Sequence, residues 1–314
     1  MKKELIQFLI LIFPYLIFAQ LPSTSKSISE ILDREIIYGH RDGMALTMFI
    51  VKPEKSNGKA IVSLVSSGFG SDIKWIETYY NLAIPFTEKG YTVFLTLHSA
   101  SPRYSIPDAF EDVQRAIQYI RYNSTKYEVD PDNIGITGSS SGGVLALLAA
   151  TTNDIKKSTS QDPIEKTSSK VQAVAVFYPG TDFLNFGGEG KNILNQTDWL
   201  QREQLTDAFK YTILDTATNT YITVTDSDEI KKITTQISPA QLVTSDDAPA
   251  CIIHGDQDNV VPLQQSQIFK DKMSKNNIPV SLTVKKNVGH GWKNQVADEE
   301  IFVSWFDKYL IDKK

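Results

Sequence analysis

The sequence predicts an α/β fold, with a mostly parallel eight-stranded sheet and helices on both of its faces. Three observations lead to it. Runs rich in Val, Ile, Phe, Tyr or Thr recur along the chain at strand length. Helical periodicity appears between the later runs. A Gly-x-Ser-x-Gly segment, Gly138-Ser139-Ser140-Ser141-Gly142, joins a strand-like run to an apolar helix-like one. Strands alternating with helices cover a sheet on both sides and leave sites at the carboxyl ends of the strands.

The elements follow in order. Residues 1–19 are set aside before the fold: Lys2 and Lys3 precede the apolar run Phe8 to Phe18, and Ala19-Gln20 offers a small residue for cleavage. A membrane anchor is the alternative, but Pro14 interrupts the run, which falls short of the roughly 20 residues a spanning helix needs. The expectation is a cleaved secretory signal and an exported protein, periplasmic or extracellular. Residues 20–314 then form one domain, which opens on a polar lead-in over 21–33. The predicted strands are Arg34–Tyr38, Leu46–Val51, Ala60–Ser66, Thr92–Leu97, Ile134–Thr137, Ala173–Tyr178, Ala250–His254 and Val280–Lys285. Phe110, Val113, Ala116, Ile117 and Ile120 mark a helix beginning after Pro107-Asp108, and Val144–Ala150, Val260–Lys275 and Asp298–Leu310 are also helical. One stretch breaks the alternation. Between the sixth and seventh strands, over about 180–245, the chain is far longer than a crossover helix requires. It holds a short helical pattern near Thr197–Leu214 and is expected to be a cap over the carboxyl edge. Gly187-Gly188-Glu189-Gly190 within it follows no strand and lacks the Lys-Ser/Thr of a phosphate loop, so it reads as a flexible hinge.

Composition excludes several classes. The 314 residues are 41% hydrophobic, enough for a substantial core, and the net charge of −5 without a basic cluster argues against nucleic acid as a partner. Cys251 is the only cysteine, so no intrachain disulfide forms, and its apolar strand makes it a core residue. No His-Glu-x-x-His and no Cys/His pair at ligand spacing occurs, so no metal and no cofactor is implied.

The glycines two positions either side of Ser140 remove Cβ atoms that would clash in a sharp strand-to-helix turn, leaving its hydroxyl raised as a candidate nucleophile. A serine needs a base, and the base needs an orienting carboxylate. Of the four histidines, His40 lies near a turn, His98 follows the fourth strand, and His254 ends the seventh strand, where local backbone satisfaction is its ordinary role. His290, glycine-flanked in Val288-Gly289-His290-Gly291-Trp292 after the last strand, is free to fold back over the strand ends and is the candidate base. Asp256 and Asp258 both follow the seventh strand. Asp256 suits a turn-capping role, and Asp258, deeper in the loop, is preferred as the third member. Amide donors for a developing oxyanion are expected from Ser141 and from Ser66-Ser67-Gly68-Phe69-Gly70, with Gly68 and Phe69 as the candidates.

These segments resemble the α/β-hydrolase superfamily, in its secreted bacterial carboxylesterase and lipase-like branch with feruloyl-esterase-like and acetyl-xylan-esterase-like members. The resemblance runs from about Glu35 to Leu310. It rests on Ser66–Phe69, Ile106–Val113, the serine elbow, Thr181–Gly187, His254-Gly255-Asp256-Gln257-Asp258 and Gly289–Trp292. In that group the second Asp of the His-Gly-x-x-Asp run is the triad acid, which agrees with Asp258. The esterase His-Gly-Gly-Gly signature is here replaced by Ser66-Ser67-Gly68-Phe69, leaving open which amides form the hole. The resemblance implies an exported serine esterase acting through an acyl-enzyme on small esters or acylated plant polysaccharide, with no stable membrane insertion after signal removal. Two alternatives stay open: a prolyl-oligopeptidase-like serine peptidase, and a binding protein on an inactive hydrolase fold.

Overall fold

The computed structural model describes residues 35–312. The secretory-signal and lead-in segments, and Arg34, lie outside the described residues. Eight strands form one sheet: β1 (Glu35–Arg41), β2 (Met44–Val51), β3 (Ala60–Leu64), β4 (Thr92–Thr96), β5 (Ile134–Ser139), β6 (Ala173–Phe177), β9 (Ala250–Gly255) and β10 (Val280–Lys285). A separate hairpin, β7 (Thr212–Asp215) and β8 (Thr220–Thr223), lies between β6 and β9 in the chain. The spatial order is β1-β2-β4-β3-β5-β6-β9-β10. Only β2 runs against its neighbours; β4, β3, β5, β6, β9 and β10 are mutually parallel. The predicted eight-stranded α/β sheet is therefore the observed one.

Alternation along the central strands fills two cores. Val62 and Leu64, Ile134 and Ile136, Val174 and Val176, and Ala250 and Ile252 pack on one face. Ile61 and Val65, Ala173, Ala175 and Phe177, and Cys251 and Ile253 pack on the other. Burial pushes the Cys251 thiol up to about 12, against a lowering hydrogen bond from Ser281, so it is inert core. The first core is closed by α2 (Ile106–Tyr122), α4 (Ser141–Thr151) and α8 (Gln264–Lys275), the second by α1 (Ile76–Glu88) and α9 (Gln295–Phe306). Ser124–Tyr127 adds a short α3.

Local chemistry sets most boundaries. Helix α2 begins at Ile106, ahead of the predicted start after Pro107-Asp108, because Asp108 Oδ2 accepts from both the amide (2.9 Å) and hydroxyl (2.8 Å) of Ser105. Helix α8 begins at Gln264 rather than Val260, since the preceding residues wrap around the Asp258 side chain. Helix α9 starts three residues before Asp298 and ends in a π turn, Asp307–Ile311. Helix α1 is unannounced by the sequence pattern because Pro85 lies inside it.

The long insertion is mixed. It contains α5 (Thr197–Arg202), a 3-10 turn at Asp207–Phe209, the β7–β8 hairpin, α6 (Ser227–Gln236) and α7 (Pro239–Leu242). The predicted helical stretch to Leu214 is thus corrected: it stops at Arg202, and Thr212–Asp215 pairs as a strand with Thr220–Thr223. The Gly187–Gly190 segment is not a free hinge. It is a closed turn, with Phe186 N donating to Lys191 O (2.8 Å) and Gly190 N to Asn185 Oδ1 (2.8 Å).

Helix α9 carries one electrostatic liability. Glu299 is buried, its Oε2 has no hydrogen-bond partner among the described residues, and burial, then the Asp298 charge, push its carboxyl well above the usual range. The folded chain keeps this proton at pH values where the unfolded chain, with a pKa of about 4.3, has released it. Stability is therefore lost as pH rises above that value. Glu299→Gln should match the parent near pH 4 and exceed it by about 1 kcal/mol or more at pH 8, as thermal melts at the two pH values would show.

Candidate active site

Ser140 sits on the turn between β5 and α4 with φ 53° and ψ −118°, a conformation that costs a non-glycine residue on the order of 1–3 kcal/mol. The turn is this sharp because Gly138 lies against the next turn of chain: a Cβ there would meet the Gly142 carbonyl at 2.5 Å. The Ser140 amide donates to Phe177 O (3.0 Å) at the end of β6. Helix α4, which follows, is buried along its whole length and anchors the turn to the core.

The loops after β9 and β10 supply the partners. A Cβ on Gly255 would lie 2.3 Å from Val288 O, so this glycine lets the loop carrying Asp258 press against the loop carrying His290. His290 Nε2 lies 2.9 Å from Ser140 Oγ, and Nδ1 lies 2.7 Å from Asp258 Oδ2. The three side chains singled out in the sequence thus meet in a line at the carboxyl end of the sheet. Asp256, the alternative acid, faces away: its Oδ1 accepts from Asn287 N (2.7 Å), and Lys286 Nζ approaches Oδ2 at 3.3 Å.

The Asp258 side chain has no solvent exposure. Its Oδ1 accepts the amides of Val260 (2.9 Å) and Val261 (2.8 Å). Burial pushes this carboxyl up, but the bonds from His254, His290 and Val261 outweigh burial and hold it well below the usual carboxylate range. An ionised carboxylate therefore faces His290 throughout the range in which a histidine titrates. Beneath His290 lies the Tyr178 ring, with centroids 4.5 Å apart, and its hydroxyl donates to Gln295 Oε1 (2.9 Å).

Ser67 and Gly70 exchange both backbone hydrogen bonds (3.0 and 2.8 Å), closing a two-residue loop in which Gly68 (φ 55°) and Phe69 (φ 58°) both have positive φ, the pattern of a type I′ turn. The amides of Gly68 and Phe69 take no part in those two bonds. Ser66 Oγ lies 2.9 Å from Ser141 Oγ, and Tyr79 OH bonds both the Ser66 amide (3.1 Å) and carbonyl (2.8 Å). This clamp couples the turn to the start of α4. Gly68, Phe69, Ser140 and Ser141 line one wall of a pocket with about 380 Å³ of empty space, part of it open to solvent. The insertion contributes apolar lining to the same pocket: Phe183, Phe186, Ile193, Trp199, Leu205 and Phe209. Phe209 packs edge-on against both Phe69 (6.0 Å) and Phe183 (5.0 Å).

Of the other histidines, His40 is exposed on β1 and His98 is buried, with Nδ1 2.7 Å from Ser99 O. His254 does satisfy a local backbone group, Val261 O at 2.9 Å, but it also reaches Asp258. Sequence reasoning missed that contact, and it missed Tyr178, Tyr79 and Gln295. The His-Gly-x-x-Asp run held a signal for the first; the others come from distant segments and carried none.

A strained serine on a strand-to-helix turn, facing a histidine and a buried aspartate from later strand ends of a parallel sheet, defines an α/β-hydrolase. The BD-FAE family model matches residues 46–273, and the chain belongs to that family of esterases. It is similar to the probable carboxylic ester hydrolase LipM of Mycobacterium tuberculosis, 29% identical over 59% of this chain and 38% of the relative. It is also similar to esterase LipQ of the same organism, 31% identical over 60% of this chain and 40% of the relative. The chain thus spans about two fifths of the length of these relatives. Among solved structures, a truncated carbohydrate esterase from gut microbiota superposes with a TM-score of 0.68 at 25% identity, covering 88% of this chain and 95% of that one.

The depressed Asp258 carboxyl has a stability consequence. Its contribution is fully present above the unfolded carboxylate value of about 3.9 and is lost as pH falls through that value towards the folded one. Asp258→Asn should cost on the order of 2 kcal/mol at pH 7, and the gap to the parent should begin to narrow as pH falls below about 4. Urea midpoints measured across that range would check it.

Proposed function

We propose that this protein hydrolyses carboxylic esters with Ser140 as nucleophile, His290 as general base and then general acid, and Asp258 as the group that orients His290. The observation that carries this is the continuous chain of short contacts, 2.9 Å from Ser140 Oγ to His290 Nε2 and 2.7 Å from His290 Nδ1 to Asp258 Oδ2. As Ser140 Oγ attacks the ester carbonyl carbon, its proton passes to His290 Nε2, and the imidazolium formed is stabilised by the ionised Asp258. Collapse of the tetrahedral intermediate expels the alcohol, which takes the proton from His290 and leaves Ser140 acylated. Water activated by His290 then attacks the acyl-enzyme and releases the acid. The Ser141 amide, with that of Gly68 or Phe69, holds the oxyanion; the Ser66–Ser141–Tyr79 clamp and the fixed positive-φ turn support that assignment.

The insertion acts as a cap whose aromatic side chains receive the acyl group, since Phe183, Phe186, Trp199 and Phe209 line the same pocket as Ser140. The natural substrate is a small ester or an acylated plant polysaccharide, a choice supported by the likeness to the gut carbohydrate esterase. The protein acts outside the cytoplasm, in the periplasm or beyond; Lys2, Lys3 and the apolar run to Phe18 support export.

Ser140→Ala is expected to fold like the parent yet show no hydrolysis of p-nitrophenyl acetate, and a fluorophosphonate probe should label the parent alone. Parental rates in that variant would end the assignment. Asp258→Asn should retain the fold and lose about three to four orders of magnitude in kcat. A panel of p-nitrophenyl esters of increasing acyl length, run beside acetylated and feruloylated sugars, reads the substrate directly. Trp199→Ala should shift the optimum to longer acyl groups by one or more carbons.

A further inference from the structure

His254 is completely buried beneath the site, and its ring bridges two elements. Nε2 lies 2.9 Å from the Val261 carbonyl, and Nδ1 lies 2.7 Å from the Ser266 hydroxyl on α8. A carbonyl only accepts, so in the neutral ring Nε2 carries the proton and Nδ1 accepts from Ser266. The same Nε2 stands 3.3 Å from Asp258 Oδ2, the oxygen that also meets His290, so the N–H bonded to Val261 O also lies beside the carboxylate. The amides of Val260 and Val261 hold the other carboxylate oxygen, and they belong to the peptide segment that His254 grips through Val261 O.

We propose that His254 is a positioning residue for the reaction: its Nε2–H holds the Asp258 carboxylate against His290, both directly and through the turn at Val261. The inference rests on the esterase reading for its kinetic consequence, but not for its electrostatic one. With His254 in place, the Asp258 charge is divided between two imidazoles. Replacing the donor by a hydrocarbon leaves that charge to His290 alone, which favours the protonated form of His290 and raises its titration midpoint. The groups facing the pair are few. From the residue just after β6 it is Tyr178, with ring centroids 6.4 Å from His254 and 4.5 Å from His290 and its hydroxyl held by Gln295. From α8 it is the neutral Ser266, and from the intervening loop Asp258 itself, while Asp256 is turned towards Asn287 and Lys286.

The test is an NMR titration of His290 in the full chain carrying Ser140→Ala, where no turnover is needed, combined with kinetics in the otherwise parental chain. His254→Leu should raise the His290 midpoint by about half a pH unit or more, and His254→Gln, whose amide restores an N–H donor, should bring it back. In the active chain, His254→Leu should lower kcat for p-nitrophenyl acetate about tenfold or more, with KM within about twofold, and move the acid limb of the rate profile upward with His290. His254→Gln should recover most of that loss. An unchanged midpoint, or a loss of kcat that Gln fails to restore, overturns the proposal. If His254→Leu does not fold, Ser266→Ala carries the same test at smaller amplitude, about twofold in kcat with an upward midpoint shift, and parental values overturn it. A parent that proves inactive while the His290 midpoint still moves with His254 would sink the esterase reading and leave this assignment standing.

Discussion

Parallel register pairs Ser139 with Phe177, Phe177 with Ile253, and His254 with Val284 across β5, β6, β9 and β10. Whatever follows each strand therefore emerges at one level on one side of the sheet. Ser140, Tyr178, Asp258 and His290 owe their meeting to this alignment, since each lies within a few residues of a strand end. A slip of one residue in any strand would send its two apolar rows to the wrong cores as well as misplace the side chain that follows it. Packing on both faces and the geometry of the site are thus held by the same constraint.

Two unfavourable local states are concentrated at that rim. Ser140 occupies a backbone region rarely visited by residues with a Cβ. Asp258 keeps its charge without solvent, a state that is costly unless every acceptor site is filled. The first is over-determined by the wholly buried helix behind it and by the close passage of Gly138 past Gly142. The second is offset by N–H donors from two backbone amides and two imidazoles. The resulting carboxylate is fixed in direction as well as charge.

The insertion between β6 and β9 contributes to the same rim from above. Its Phe209 packs on Phe69 of the tight turn and on Phe183 just beyond β6, so the pocket wall and the turn support each other. The β7–β8 hairpin stands apart from this packing, with Ile213, Leu214, Tyr221 and Ile222 about half exposed or more. The inner part of the insertion shapes the pocket, and its outer part is built on a two-stranded ribbon.

The sequence by itself determined the eight sheet strands, the serine turn and which three side chains, Ser140, Asp258 and His290, meet at its rim. Each announces itself locally: buried parallel strands are continuous apolar runs, a sharp turn demands glycine, and a loop after a strand in such a sheet has one rim to reach. It did not determine helix α1, masked by Pro85, nor the make-up of the insertion, where a hairpin lies in polar chain with no alternating apolar face. Tertiary structure alone decided that His254 meets Asp258, that Tyr178 lies under His290, and that Tyr79 clamps Ser66. Those contacts join residues that are neighbours only once the sheet is assembled, and a contact between separate loops or elements leaves no periodicity in the chain from which to infer it.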